Sequence, residues 1–270
     1  GVALQYTGGG QFFLNLAFAL LGHVRGGPAK VAIFASGLMG SMSGSVITNV
    51  LTTGSLSIPA MKRIGFQPHV AGGVEACAST GGVLMPPIMG ATAFIMAINL
   101  EVPYRDIVVA AVIPSVLYFF ALFMQIDGYA ARNKLEGLPK IELPSVRQTL
   151  KDGWYYVAVF ALLIYLLVFM QREAQAPFYA TILLLVINQT HPKHRWNWDR
   201  FVEFLVATGR LFAELAAILV GIGLIVGSLS YSGKIGTLAF ELLQLAGNNV
   251  ALLLMLGALA SFIMGIGVTV

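Results

Sequence analysis

The sequence has 270 residues, of which 57% are hydrophobic and only 10% charged, with a mean hydropathy of +0.82. Soluble domains carry roughly 25% charged residues, so a soluble fold is excluded and the chain reads as an all-α, multi-pass membrane protein. The net charge of +4 comes from bases in short loops between apolar runs, which excludes a nucleic-acid partner, and the single Cys77 excludes an internal disulfide or multi-cysteine metal site.

There is no initiator Met and no signal-peptide pattern, and the chain stops at Val270 inside a Gly-rich apolar run. It therefore reads as part of a longer protein. Gly1 to Tyr6 reads as the end of a helix, broken at Thr7-Gly8-Gly9-Gly10. Gln11 to Leu21 is an apolar helix too short to span a bilayer, and His23 to Lys30 is a polar turn.

Val31 to Pro59 carries no charge, yet its centre holds Ser41, Ser43, Gly44, Ser45, Thr48, Asn49, Thr52, Thr53 and Gly54. A lipid-facing helix has no use for such a run. Irregular backbone at membrane depth survives only where protein buries it or it lines a water-filled cavity. The stretch is predicted to be a re-entrant helical hairpin over 31–59, with its tip at Ser43-Gly44-Ser45 and both ends on one side. Val70 to Asn99 is predicted to be one discontinuous helix, broken at Ser79-Thr80-Gly81-Gly82 and at Pro86-Pro87. Cys77, within it, reads as a small buried residue.

Ile107 to Ile126 is an ordinary span with Pro114 as a kink, and 127–152 is a polar loop. Trp154 to Met170 and Pro177 to Asn188 flank a turn with Arg172 and Glu173. His191 to Arg200 is a basic, Trp-bearing interfacial loop. Glu203 to Tyr231 is a long helix on which Arg210 and Glu214 are spaced to pair. Ser232-Gly233 ends it, Ile235 to Ala246 is a short helix, and a second hairpin begins near 249.

Charge fixes the orientation. With the hairpin opening on one side, that side receives Arg25, Lys30, Lys62, Arg63, Arg132, Lys134, Lys140, Arg147, Lys151, Lys193, Arg195 and Arg200. The other side receives Arg105, Arg172 and Lys234. The basic side is cytoplasmic.

Shifted by 225 positions, the two ends of the chain match without gaps: Leu4, Tyr6, Gly8, Leu20, Gly22, Ala35, Ser36, Met39 and Gly40 meet Leu229, Tyr231, Gly233, Leu245, Gly247, Ala260, Ser261, Met264 and Gly265. On this topology the copies are inverted. The domains are then a first repeat over 1–126 containing the hairpin and the broken helix (70–99), a cytoplasmic loop over 127–152, and connecting helices with an incomplete second repeat over 153–270. Inverted repeats with interrupted segments point to a secondary transporter.

Three stretches carry a resemblance to a known family. They are Gly-Ser-Met-Ser-Gly-Ser-x-x-x-Asn-Val (40–50), Thr-Thr-Gly-x-x-x-Ile-Pro-x-Met-Lys-Arg-x-Gly (52–65) and Glu-Ala-x-Ala-Ser-Thr-Gly-Gly-x-x-Met-Pro-Pro-x-Met-Gly (75–90). They are similar to the large membrane subunit of tripartite ATP-independent periplasmic (TRAP) transporters, most of all to the fused permease of the TAXI branch. The resemblance implies an elevator-type, sodium-coupled importer of organic acids in the bacterial inner membrane. It implies a periplasmic TAXI-type solute-binding protein as partner, with a small membrane subunit or fused N-terminal helices. The tail Gly-Ile-Gly-Val-Thr-Val resembles the family's second hairpin tip, with Thr269 where Pro is common.

Sodium takes oxygen ligands, which unwound carbonyls and Ser, Thr or Asn side chains supply. The candidate sodium site is Ser41, Ser43, Ser45 and Asn49 at the tip with Ser79, Thr80, Gly81 and Gly82 at the break, and Gly267 and Thr269 serve a second one. The competing reading is that small residues merely allow close helix packing. Half-helix N-termini suit a carboxylate substrate, with Ser45 and Pro87 bordering that space. Glu75 is an intramembrane carboxylate, read either as a coupling or proton group or as a structural partner of Lys62 or Arg63. No cofactor is expected; sodium is the coupling ion. The alternative is a carboxylate symporter of related fold that needs no binding protein. An enzyme is not expected, because paired carboxylates, a His–Glu zinc motif and a Ser–Lys or Ser–His pair are all lacking.

Overall fold

The computed structural model describes residues 1–170, 172, 175–190, 195–247 and 249–267, without the side chains of 235, 238 and 263–267. Among the described residues the elements are all helices: α1 (Val2–Tyr6), α2 (Gly9–Leu21), α3 (Gly27–Ser43), α4 (Val46–Arg63), α5 (Pro68–Gly82), α6 (Ala91–Leu100), α7 (Tyr104–Arg132), α8 (Val146–Ile164), α9 (Ala176–Thr190), α10 (Trp198–Tyr231), α11 (Lys234–Ala246) and α12 (Val250–Gly267). A short 3-10 turn covers Lys140–Glu142, and α8 continues as a π-helical turn over Tyr165–Phe169. Two compact units divide the chain, Gly1–Val206 and Ala207–Val270.

Among the described residues, three helical stretches are long and apolar enough to cross a bilayer: Tyr104–Arg132, Lys140–Phe169 and Trp198–Tyr231. Most apolar side chains of α7 and α10 point outward; Ile113 on α7 is 69% exposed. Only a hydrocarbon solvent makes such a surface stable, so the chain is a membrane protein.

The first unit is built around a helical hairpin formed by α3 and α4. α3 ends at Gly44, whose φ of +63° puts it in the left-handed region. A Cβ there would also lie 2.4 Å from the Met89 carbonyl oxygen, so only glycine fits. Ser45 then caps α4, its hydroxyl accepting the Thr48 N–H at 3.4 Å. The two legs pack on each other and both pack on α5.

Both roots of the hairpin lie at one end of this unit. Arg25 and Lys30 each form an ion pair with Asp127, near the end of α7. Arg63 pairs with Glu142 at 2.7 Å. The Gly26 N–H donates to the Leu135 carbonyl at 3.1 Å, and the Leu138 N–H to the Gly22 carbonyl at 2.9 Å. Seventeen and eighteen residues give legs of about 26 and 27 Å, close to a bilayer's thickness, yet the turn returns the chain to the end it left.

Of the two predicted breaks, the one at Pro86-Pro87 is present and the one at Ser79 to Gly82 is not. Ser79 to Gly82 form the last turn of α5, and the irregular segment is 83–90, closed by the Gly90 N–H on the Val83 carbonyl at 2.9 Å. The Pro86–Pro87 peptide within it is cis. The glycines are there for close approach. A Cβ on Gly81 would lie 2.3 Å from the Tyr118 ring, and one on Gly40 of α3 would lie 2.2 Å from the Gly82 Cα.

Other expectations are corrected in detail. The 127–152 loop shrinks to 133–145, because α7 runs on to Arg132 and α8 starts at Val146. Cys77 is exposed, since it lies off the face of α5 that carries Ala71, Val74, Glu75 and Ala78 inward. Arg210 and Glu214 are exposed and form no ion pair among the described residues, as expected where ordering two long side chains offsets a screened attraction. Glu173, His191, Lys193 and His194 lie outside the described residues.

The element boundaries near the two ends of the chain correspond at several points. α1 ends at Tyr6 and α10 at Tyr231. Gly8 and Gly233 follow, both left-handed, at φ +87° and +70°. α2 and α11 are both 13 residues long and are followed by Gly22 and Gly247. α12 follows α11 in the chain as α3 follows α2.

The Gly40–Gly82 crossing is testable. Gly40→Ala is expected to cost about 1–3 kcal/mol by overpacking, read as a lower unfolding midpoint in detergent. Gly73→Ala, which meets nothing within 4 Å, is expected to be neutral or to stabilise α5 by up to ~1 kcal/mol.

Candidate functional site

The tip of the hairpin and the break of the discontinuous helix are in contact. The Ser41 carbonyl accepts the Ile88 N–H at 3.2 Å, and Gly44 lies against Met89. α5 and α6 thus present their broken ends where α3 hands over to α4. Tyr104, the first residue of α7, fixes the far side of the break: its hydroxyl donates to the carbonyls of Pro87, at 3.1 Å, and Ile88.

Asn49 is the buried centre of this junction. It is wholly inaccessible, and its Nδ2 donates to the Ser36 carbonyl at 2.9 Å. Its Oδ1 has no hydrogen-bond partner among the described residues. A buried acceptor left unpaired costs roughly 1–3 kcal/mol. Gly82 forms one wall: a Cβ there would meet Asn49 Nδ2 at 2.8 Å and the Ser36 carbonyl at 2.9 Å.

The other predicted tip residues have different commitments. Ser41 is buried and donates to the Leu38 carbonyl at 2.8 Å, leaving its oxygen free to accept. Ser43 and Ser45 are half-buried at the turn. Of the predicted break residues, Gly81 and Gly82 are buried and lie at the end of α5. The Ser79 hydroxyl is directed at Glu75, 3.3 Å away. Thr80 is exposed and bonds back to the Ala76 carbonyl at 2.8 Å, so its side chain is not at this junction. The Pro87 ring is buried and its carbonyl is held by Tyr104. Gly267 is the last residue of α12, and Thr269 lies outside the described residues.

Glu75 is also fully buried, but the expected pairing with Lys62 or Arg63 is absent. Arg63 goes to Glu142 instead, because it sits beyond the end of the buried face. Four hydroxyls surround the carboxyl: Ser36 of α3 and Ser79 of α5 at 3.3 Å, with Thr53 and Ser57 of α4 closer. Sequence reasoning did not assign Ser36, Thr53 and Ser57 to Glu75. Their signal was present as a stripe: Asn49, Thr53, Ser57 and Met61 follow one another at four-residue steps on α4, and all are buried.

Compared with known proteins, the chain matches the family model described as "Tripartite ATP-independent periplasmic transporter, DctM component" over residues 1–270. It is 32% identical to the C4-dicarboxylate TRAP transporter large permease protein DctM of Pseudomonas aeruginosa, over 52% of this chain and 33% of that protein. It is 25% identical to the sialic acid TRAP transporter large permease protein SiaM of Vibrio cholerae, over 97% of this chain and 61% of that protein. It is 28% identical to the sialic acid TRAP transporter permease protein SiaT of Haemophilus influenzae, over 58% of this chain and 25% of that protein. The alignments thus cover between a quarter and about three fifths of these relatives' lengths.

The hydroxyl shell makes a sharp contrast within α4 and α5. Thr53→Val and Ser57→Ala are each expected to lower unfolding free energy by roughly 1–3 kcal/mol in detergent. Thr80→Val is expected to change it by less than about 0.5 kcal/mol. Equal losses at all three positions would contradict the shell.

Proposed function

The chain belongs to the DctM component family of tripartite ATP-independent periplasmic transporters, and from that premise we propose that it is the ion- and substrate-binding part of a sodium-coupled permease for an organic acid. Transport is placed in the bacterial inner membrane. The substrate is delivered by a periplasmic solute-binding protein of the TAXI type, and a small membrane subunit or fused N-terminal helices complete the assembly. The hairpin is re-entrant, the two repeats are inverted, and the movement is of the elevator type.

The observation that carries this reading is the hairpin tip seated on the helix break, with Asn49 Oδ1 buried there and unpaired. A monovalent cation with little preference in geometry is satisfied by neutral oxygens. Asn49 Oδ1, the Ser41, Ser43 and Ser45 oxygens and the second lone pairs of the Thr80, Gly81 and Gly82 carbonyls are the ligand pool. Ser79 supports it through Glu75. Gly267 and Thr269 are assigned to the equivalent position of the second repeat. The substrate carboxylate is assigned to the polar turn at Ser45 and the α6 end beside Pro87. An acid is favoured because the similar relatives carry C4-dicarboxylate or sialic acid in their names. The matched boundaries of the two repeats support the transporter architecture.

The test uses the full-length protein in liposomes with its binding protein and a panel of radiolabelled organic acids. Uptake is expected to require an inward sodium gradient and the binding protein. Asn49→Ala is expected to raise the sodium concentration for half-maximal uptake about tenfold, as loss of ~1.4 kcal/mol of binding requires. Uptake driven by a proton gradient alone would overturn the sodium reading. Uptake without the binding protein would favour a binding-protein-independent symporter.

A further inference from the structure

The turn of the hairpin is seated on the break through one peptide unit. The last carbonyls of a helix have no donor within it, and Ser41, two residues before the end of α3, carries one of them. Ile88 supplies the donor, its N–H reaching the Ser41 carbonyl at 3.2 Å. The other hydrogen-bonded N–H groups of 83–90 turn back on their own chain. Those of Val83, Leu84 and Met85 go to the carbonyls of Thr80, Gly81 and Gly82, and that of Gly90 goes to Val83. Pro86 and Pro87 have no N–H to offer. The Ile88 N–H is therefore the backbone donor that the break sends to the hairpin.

The same peptide unit is held from its opposite side. In a trans peptide the C=O and N–H point opposite ways. Here the C=O is that of Pro87, and it accepts the Tyr104 hydroxyl at 3.1 Å; the next carbonyl, of Ile88, accepts that hydroxyl too. The line runs from Tyr104 O–H to Pro87 C=O, then from Ile88 N–H to Ser41 C=O, and each bond polarises the next. Tyr104 is itself fixed. It is 1% exposed, and its ring stacks on Phe94 of α6, with centroids 4.2 Å apart and planes 3° from parallel. The segment it holds is under strain. Met89, the next residue, is buried at φ +57°, a conformation that a side chain adopts at a steric cost and keeps only where its surroundings enforce it.

The ligand pool assigned to the ion draws on both sides of this seat: Ser41, Ser43, Ser45 and Asn49 from the hairpin, Thr80, Gly81 and Gly82 from α5. An ion held by both sides needs them at a fixed separation. We propose that Tyr104 is a positioning residue for the ion site, its hydroxyl keeping the hairpin turn seated on the break through the 87–88 peptide without touching the ion. This rests on the sodium reading of the site. Removing the hydroxyl takes a donor from the Pro87 and Ile88 carbonyls in a medium that supplies no replacement. The 87–88 peptide is then freer to tilt, and the Ser41 bond opens more often.

Two measurements on the full-length transporter test it. The first is amide hydrogen–deuterium exchange over 83–90 in detergent, which needs no transport. The second is the sodium concentration for half-maximal uptake in liposomes with binding protein, together with the rate at saturating sodium. Tyr104→Phe keeps the ring and its stack and removes only the hydroxyl. It is expected to speed exchange of the Ile88 amide about fivefold or more and to raise the sodium requirement in the same direction. The saturating rate is expected to stay within about twofold, the split that separates lost binding from lost turnover. Tyr129→Phe, which takes a hydroxyl from the other end of α7, is expected to change neither readout; a shift equal to that of Tyr104→Phe would overturn the assignment to Tyr104. Phe94→Leu keeps the hydroxyl but removes the stacked ring, and is expected to move both readouts the same way by a smaller factor, which covers the case where Tyr104→Phe fails to fold. Unchanged exchange at Ile88 would overturn the seat. Faster exchange with an unchanged sodium requirement would overturn the positioning role and leave the sodium reading standing. Wild-type uptake indifferent to sodium would overturn the sodium reading and the positioning role together, with the exchange measurement still deciding whether Tyr104 holds the seat.

Discussion

The backbones of α3 and α5 meet at Gly40 and Gly82 with no side chain between them, and the site depends on that approach. A single methyl on Gly40 would lie 2.2 Å from the Gly82 Cα. At this separation the Ser36 carbonyl, Asn49 amide and Gly82 backbone share one small volume. The same approach lets the Ser41 carbonyl reach the Ile88 N–H, which fixes the turn of the hairpin against the interrupted helix. Dispersion between close backbones replaces the hydrophobic effect that is missing between helices in lipid.

A second constraint is the account of polar groups. A bilayer core offers no water to an unpaired donor or acceptor. The hairpin responds by spending its hydroxyls internally: Thr52 on the Thr48 carbonyl, Thr53 and Ser57 on Glu75, Ser41 on the Leu38 carbonyl. Among the described residues of the hairpin, Asn49 Oδ1 is the buried side-chain oxygen without a hydrogen-bond partner.

Much of the fold was legible because it lies in one-dimensional patterns. The Ser-Gly-Ser turn, the Pro86–Pro87 interruption and the left-handed Gly8 and Gly233 are each set by a residue type with few conformational options. What was illegible needed a partner in space. Ser79 to Gly82 looked like a break because Gly serves both to end helices and to admit neighbours, and composition does not separate the two uses. The Glu75 shell draws on residues 36, 53, 57 and 79 of three helices; the nearest cations in the sequence, Lys62 and Arg63, suggested a different partner. Cys77 was misjudged for a geometric reason, since it sits one helical step away from the inward-facing Ala78.

The fastening at Asp127 carries a mechanical consequence. This one carboxylate grips Arg25, just before the first leg of the hairpin, and Lys30, within it, while Lys30 also lies 4.9 Å from the Phe123 ring centre. The second leg is moored at Arg63 to Glu142. A hairpin swinging open like a door would have to tear both moorings and the Ser41–Ile88 bond together. These contacts tie both legs of the hairpin to the end of α7 and the loop after it at one end, and its turn to the interrupted helix at the other.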